Sequence, residues 1–304
     1  MGASPHTMTR MGDVLAGIHS SWEFDTDSML IRFERGIRTP KLFHVLGERR
    51  VPYEALSAVE VAPGSKRGTV ELFATPRDGA DPLIEAAAGQ LRAATNPYRL
   101  VLPEERRQEA EEAAERVRGA LRPYAAEPAD RFLVAAPTAP LSFKAYDGKV
   151  AFDGKAVSFR WFWTGATSAK WKAGDQAFQV NELAGVDWRS PEGSGGCLRL
   201  VRRGADGLAV TDPAPPPADQ DPAAVVFALG YGLVHESLPL AAGVLEAIQE
   251  AEPEFGGVPE PAREQRGDPA DIAERIRHLG ELHTAGLLTD DEFTAKKREL
   301  LSQL

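Results

Sequence analysis

A pattern used twice constrains this chain more than any other feature. Trp22 to Phe33 reads WEFDTDSMLIRF, and Val150 to Trp161 reads VAFDGKAVSFRW. Each has an apolar residue ahead of Phe-Asp, then a short polar turn and an alternating strand. The inward set is Met29, Ile31 and Phe33 in the first copy and Val157, Phe159 and Trp161 in the second. Alternation at period two is the signature of a strand with one buried face.

The segments after the two hairpins also repeat one another. Val51 to Val61 is paralleled by Phe178, Val180, Leu183, Val186 and Trp188. The Gly-containing turn Pro63 to Gly68 is matched by Pro191 to Gly196, where glycines permit positive φ. Leu198 and Leu200 match Val70 and Leu72 in this reading, and Val225 and Phe227 match the strand of Tyr98, Leu100 and Leu102. An Ala-rich stretch over 79–95 predicts a short inserted helix in the first copy alone; the loop Thr211 to Pro222 replaces it in the second. Each copy closes on an amphipathic helix. The first starts at Pro103, where a missing N–H costs nothing, and carries Ala110, Ala114, Val117 and Leu121 as its stripe. The second spans about 238–250, with Leu240, Val244, Leu245 and Ile248 apolar.

The fold class expected is therefore α+β: two tandem small β-barrels or half-barrels, over 13–123 and 141–250, each closed by a C-terminal helix that covers the sheet's apolar face. An Ala- and Pro-rich join lies over 124–140. Residues 251–270, with Pro253, Pro259, Pro261 and Pro269, read as a flexible linker. Residues 271–304 read as a two-helix hairpin. Ile272, Ile276, Leu279 and Leu282 form its first stripe, Gly286 ends that helix, Thr289 with Glu292 makes a capping box, and Phe293, Leu300 and Leu301 face inward from the second helix. A hairpin this small is stable only by self-association or docking.

Charge and composition narrow the function. With 45 acidic and 35 basic residues among 304, the net charge is −10, which argues against a nucleic-acid partner. Cys197 is the one cysteine, so neither an intrachain disulfide nor a cysteine metal cage is expected. No signal-peptide core and no apolar run of spanning length occurs, so a cytoplasmic protein is expected. The histidines form no HExxH, and His278 and His283 fall on different helix faces. Gly230-Tyr231-Gly232 reads as a turn, not a nucleotide loop. No catalytic constellation, cofactor motif or metal site emerges, and the chain reads as non-enzymatic.

The tail LxxLHxxGLLTDDEFxxKKxxLL, from Leu279 to Leu301, resembles the SHOCT family of short C-terminal domains of bacterial proteins. AFDG at Ala151–Gly154, LAGVDWRSP at Leu183–Pro191, GCLRL at Gly196–Leu200 and DPAAVVF at Asp221–Phe227 resemble DUF4429, an actinobacterial domain of unknown function. The first copy matches through WEFD, LGERRVPYEALSAVEVAP and NPYRLVLP. The resemblance implies pleckstrin-homology-like modules, no established enzyme activity, and oligomerisation or partner contact through the tail.

Two surfaces are candidates for binding. Arg35, Arg38, Lys41, Arg49 and Arg50 form a basic stretch that could hold an anionic partner, with a solvated strand edge as the alternative. Trp161, Trp163 and Trp171 gather beside Arg160, Lys170 and Lys172. Alternation puts Trp161 and Trp163 on one face, either an interface anchor or core. The expected function is a binding or scaffold protein whose modules recognise a protein or peptide surface and whose hairpin oligomerises or docks. The alternative is peripheral membrane attachment through the basic face of the first domain.

Overall fold

The computed structural model describes residues 13–204, 207–210, 215–251, 293–294 and 296–298. The chain divides into two units, Met1–Glu252 and Pro253–Leu304. Both copies of the repeat lie in the first.

The first copy runs β1 (Asp13–Ala16), β2 (Ser20–Phe24), β3 (Ser28–Phe33), α1 (Lys41–Leu46), β4 (Glu48–Pro52), β5 (Leu56–Pro63), β6 (Thr69–Pro76), α2 (Pro82–Ala87), β7 (Arg99–Pro103) and α3 (Arg107–Ala120). The second runs β8 (Leu141–Lys144), β9 (Gly148–Phe152), β10 (Ala156–Trp161), α4 (Ser168–Ala173), β11 (Gln176–Gln179), β12 (Leu183–Arg189), β13 (Cys197–Arg202), β14 (Ala224–Val226) and α5 (Val234–Ala251). Every strand pairing is antiparallel. Each copy makes one sheet of four strands and one of three, ordered β1-β2-β3-β4 and β5-β6-β7, then β11-β10-β9-β8 and β12-β13-β14.

Of the two forms expected, barrel or half-barrel, the closed barrel is corrected. A barrel needs a ladder continuous around its circumference. Here the two sheets of a copy meet across a 3-10 turn, Tyr53–Ala55 in the first copy and Val180–Glu182 in the second. In the first copy the far side has an isolated bridge from Ile18 to Val101; in the second, Tyr146 N–H donates to Val226 C=O at 3.0 Å. The register match is corrected as well. Leu72 lies opposite Leu100, and Leu198 lies opposite Val225, so Leu198 corresponds to Leu72 rather than to Val70. A register shift falls at the same place in both copies, between Leu56 and Ala58 and between Leu183 and Gly185. A bulge there lets one strand twist away from its neighbour.

The alternating residues face inward as period two requires. Met29, Ile31 and Phe33 are buried, as are Val157, Phe159 and Trp161. The Ala-rich stretch holds α2, whose N-cap is Asp81. Pro103 ends β7, and α3 begins after a 3-10 turn at Glu104–Arg106.

The closing helices differ. α3 buries Ala110, Ala113, Ala114 and Val117, and its remaining faces are Glu- and Arg-rich. It packs on β5, β6, β7 and β1 of its own copy. α5 starts earlier than expected, at Val234, with Pro239 inside it. Leu238, Leu240, Ala241, Ala242 and Val244 are all fully buried, which a one-sided surface helix does not show. The reason is that α5 packs on β8 and β12 of its own copy and on α1 and α2 of the first. One contiguous hydrophobic core therefore runs through both copies.

Polar bonds hold the same seam. Gln90 donates to Trp188 C=O at 2.9 Å and accepts from Ser190 N–H at 2.9 Å. The join between the copies is bound on both sides. Arg77 donates to Glu127 C=O and Pro128 C=O, Phe132 N–H donates to Gln249 Oε1 at 2.6 Å, and Ala136 N–H donates to Glu246 Oε1 at 2.9 Å.

In the second sheet, buried Glu71 accepts from Arg99 Nε at 2.7 Å and from Ser65 N–H at 2.8 Å. The Arg99 guanidinium, ahead of the opposing effect of burial and then Ser65, holds the Glu71 carboxyl at about 2, below its ordinary 4.5. A depressed carboxyl contributes stability that is complete above the unfolded pKa and is lost as pH falls through the folded one. At about 1.4 kcal/mol per tenfold, up to about 3 kcal/mol disappears between pH 4.5 and 2. Urea unfolding across that window is expected to show Glu71→Gln with a flatter pH dependence than wild type. Parallel curves for the two proteins would contradict the assignment.

Candidate functional surface

Three loops of the second copy meet at one end of its sheets. The β8–β9 turn carries Tyr146, the loop after β10 carries Trp163, and the loop after β14 carries Leu229 and Tyr231. All four are exposed, Trp163 at 47% and Leu229 at 100%. The Tyr146 and Tyr231 rings stand edge to face with centroids 6.2 Å apart. Backbone bonds lock the loops together: Phe162 N–H to Asp147 C=O at 2.9 Å and Gly232 N–H to Lys144 C=O at 2.9 Å. Gly165 is required by this approach, because a Cβ there would come within 2.2 Å of the Tyr146 carbonyl. At Gly232, φ is +64° and a Cβ would strike the Phe227 ring.

Beneath the loops lies a buried ion pair. Lys170 Nζ, with no exposure, reaches Asp147 Oδ2 at 2.5 Å and Ala224 C=O at 2.7 Å, and sits 4.8 Å from the Trp161 ring centroid. Asp147 Oδ1 in turn accepts from Val226 N–H at 2.9 Å. Burial lowers the Lys170 pKa, and Asp147 opposes that shift. The first copy solves the same packing problem without charge: Phe33 stacks on Phe43 with centroids 4.5 Å apart, and His19 stands where Asp147 does. The pair is closed to solvent, so it holds the loops rather than meeting a solute. Among the described residues no group of three His, Cys, Asp or Glu is placed to hold a metal ion. No helix among them is long and apolar enough to cross a membrane.

The predicted tryptophans separate. Trp161 is buried, and its indole N–H donates to Gly174 C=O at 2.6 Å. Trp163 is exposed, because β10 ends at Trp161 and alternation ends with it. Trp171 is half-buried on α4, and its indole N–H has no hydrogen-bond partner among the described residues. Of the three, Trp163 alone is exposed, on the loop whose backbone meets the Tyr146 turn. Tyr146, Leu229 and Tyr231 were not foreseen. Their signal was an aromatic beside glycine in a turn, Tyr146-Asp147-Gly148 and Gly230-Tyr231-Gly232.

The predicted basic face also separates. Arg35, Arg38 and Lys41 are exposed on the turn before and the start of α1. Arg50 is exposed and pairs with Asp25 at 2.8 Å. Arg49 is not part of that face: it is buried at the seam, bonded to Asp81 at 2.8 Å. Of the tail's predicted contacts, Ile272, Ile276, Leu279, Leu282, Leu300 and Leu301 lie outside the described residues. Phe293 is described as helical and half-buried, with Lys297 Nζ 5.7 Å from its ring centroid.

The model of a family described as a domain of unknown function (DUF4429) matches residues 22–118 and again residues 150–245. The model of the short C-terminal domain, SHOCT, matches residues 274–301. No curated protein matches the chain.

Proposed function

The chain belongs to the DUF4429 family, in two successive segments followed by a SHOCT domain, and from that premise we propose that it is a non-enzymatic scaffold. Its tandem segments recognise a protein surface, and its C-terminal hairpin assembles copies or docks to a partner. Sheets of four and three strands followed by a helix, twice over, support reading each segment as pleckstrin-homology-like. The observation that carries the binding role is the cluster of Tyr146, Trp163, Leu229 and Tyr231. Exposed aromatics gathered from separate loops and braced from below are the residue types that dominate interface energetics.

Two measurements test the proposal. Trp163→Ala together with Tyr231→Ala is expected to weaken a co-purifying partner at least tenfold, about 1.4 kcal/mol, with the melting temperature unchanged. The same partners at the same occupancy in both proteins would defeat this role. Light scattering on the full chain and on a chain stopped after Pro261 tests the hairpin, which is expected to supply the larger mass.

A further inference from the structure

We propose that the turn between β3 and α1 docks the protein onto a bilayer surface carrying anionic phospholipids, with Ile37 as the inserted side chain. Ile37 is completely exposed, at 106%, the most exposed large apolar residue described. It stands at the corner of a pinned turn. Thr39 N–H donates to Gly36 C=O at 3.0 Å, the His44 ring bonds the same carbonyl at 3.2 Å, and Thr39, itself buried, meets the His19 ring at 3.2 Å. The projecting isoleucine is thus held by the fold.

Its surroundings are cationic. Arg35, Arg38 and Lys41 are exposed, against Glu34 as the one carboxylate within residues 34–41. None of the three cations has a carboxylate partner among the described residues, whereas Arg32 and Arg50 from the flanking strands are both paired. An apolar tip flanked by cations that have no carboxylate partner among the described residues matches a surface with anionic headgroups above an apolar interior. A lone convex side chain needs a preformed pocket in a protein partner, but a bilayer accommodates it without one. The net charge of −10 opposes approach at long range. Screening confines that repulsion to about 8 Å at physiological salt, so attachment is a contact-range effect that weakens as salt rises. This surface is built from residues of the first copy, and the aromatic cluster from residues of the second. Together they would let the scaffold present a partner at a membrane.

The test is co-sedimentation of the full chain with phosphatidylglycerol-containing vesicles and with vesicles of phosphatidylcholine alone. Binding is expected to the first alone and to fall with salt. Each of Arg35→Gln, Arg38→Gln and Lys41→Gln should lower the partition coefficient about fivefold. Ile37→Ser should lower it without altering the salt dependence. Ile37→Cys carrying an environment-sensitive dye is a direct probe of insertion, since Cys197 is buried. A blue shift on anionic vesicles is the expected result. Absence of binding, or equal binding to both vesicles, overturns the proposal. So does binding that survives Ile37→Ser without a dye shift, which would mark a surface suited to an acidic protein instead.

Discussion

Arg49→Ala is expected to destabilise the first unit by about 3–5 kcal/mol, while Arg50→Ala, one residue along β4, costs less than about 1 kcal/mol. Both arginines pair with an aspartate at 2.8 Å, so counting ion pairs would treat them alike. Burial separates them. Arg49 and Asp81 are shielded from water, and Asp81 is also the hub of its surroundings. It accepts from Tyr98 O–H at 2.5 Å and caps α2 through Leu83 N–H at 2.8 Å. Removing the guanidinium leaves a carboxylate in a place with no solvent to replace it, and the cost is that carboxylate's desolvation rather than the loss of one contact. Arg50 and Asp25 are both more than a third exposed, so water screens their attraction and solvates whichever is left. Urea denaturation gives the comparison directly, as a shift in midpoint at constant slope. The pair Arg49→Met with Asp81→Asn should recover part of the loss by removing the stranded charge. Equal midpoint shifts for Arg49→Ala and Arg50→Ala would show that the seam around Asp81 is wet.

Separating the copies is expected to have the larger effect. A chain limited to residues 13–140 keeps its own sheets and α3 but loses α5. α5 packs on α1 and α2, and those two helices bury Leu42, Leu46, Leu83 and Ala86 among their side chains. Uncovering apolar side chains of leucine size costs about 1.5–3 kcal/mol each. A few of them consume the whole of a typical domain's roughly 5–15 kcal/mol. Gln90 and the Phe132 N–H would lose partners at the same time. The expected outcome is no cooperative melting transition and dye binding typical of exposed apolar surface. Adding residues 141–251 as a second chain should restore the transition. A monomeric 13–140 fragment with a sharp transition of its own would show that α5 merely rests on the first copy.

Local pattern stops being informative where such long-range contacts begin. The hairpin strands β2–β3 and β9–β10 were legible because alternation is a local property, whereas the short β1 and β8 were not read. Val157, Phe159 and Trp161 face one way whatever lies beyond the sheet, and β10 contains all three. The turn at Pro63–Gly68 and the insert holding α2 were legible for the same reason, through glycine and alanine propensity. The missing barrel closure was not, because it depends on whether two sheet edges meet, and nothing within a strand records that. The short helices α1 and α4 were also unread. At six residues each they are too brief to show a period.

By itself the sequence determined the two-fold repeat, its central hairpins, a helix closing each copy, and the family to which the chain belongs. Tertiary structure alone decided what those buried faces pack against. Arg49 and Arg50 must point to opposite sides of β4, since side chains alternate along a strand. The groups that make one side interior, Asp81 and Tyr98, come from other parts of the chain. Trp161 and Trp163 share a face only while the strand lasts, and its end is set by the loop packing over Tyr146. The exposed cluster draws on three loops, the last of them more than sixty residues beyond the second, so no short window of sequence contains it. Burial is a property of pairs of surfaces, and the second surface of each pair here lies far along the chain from the first.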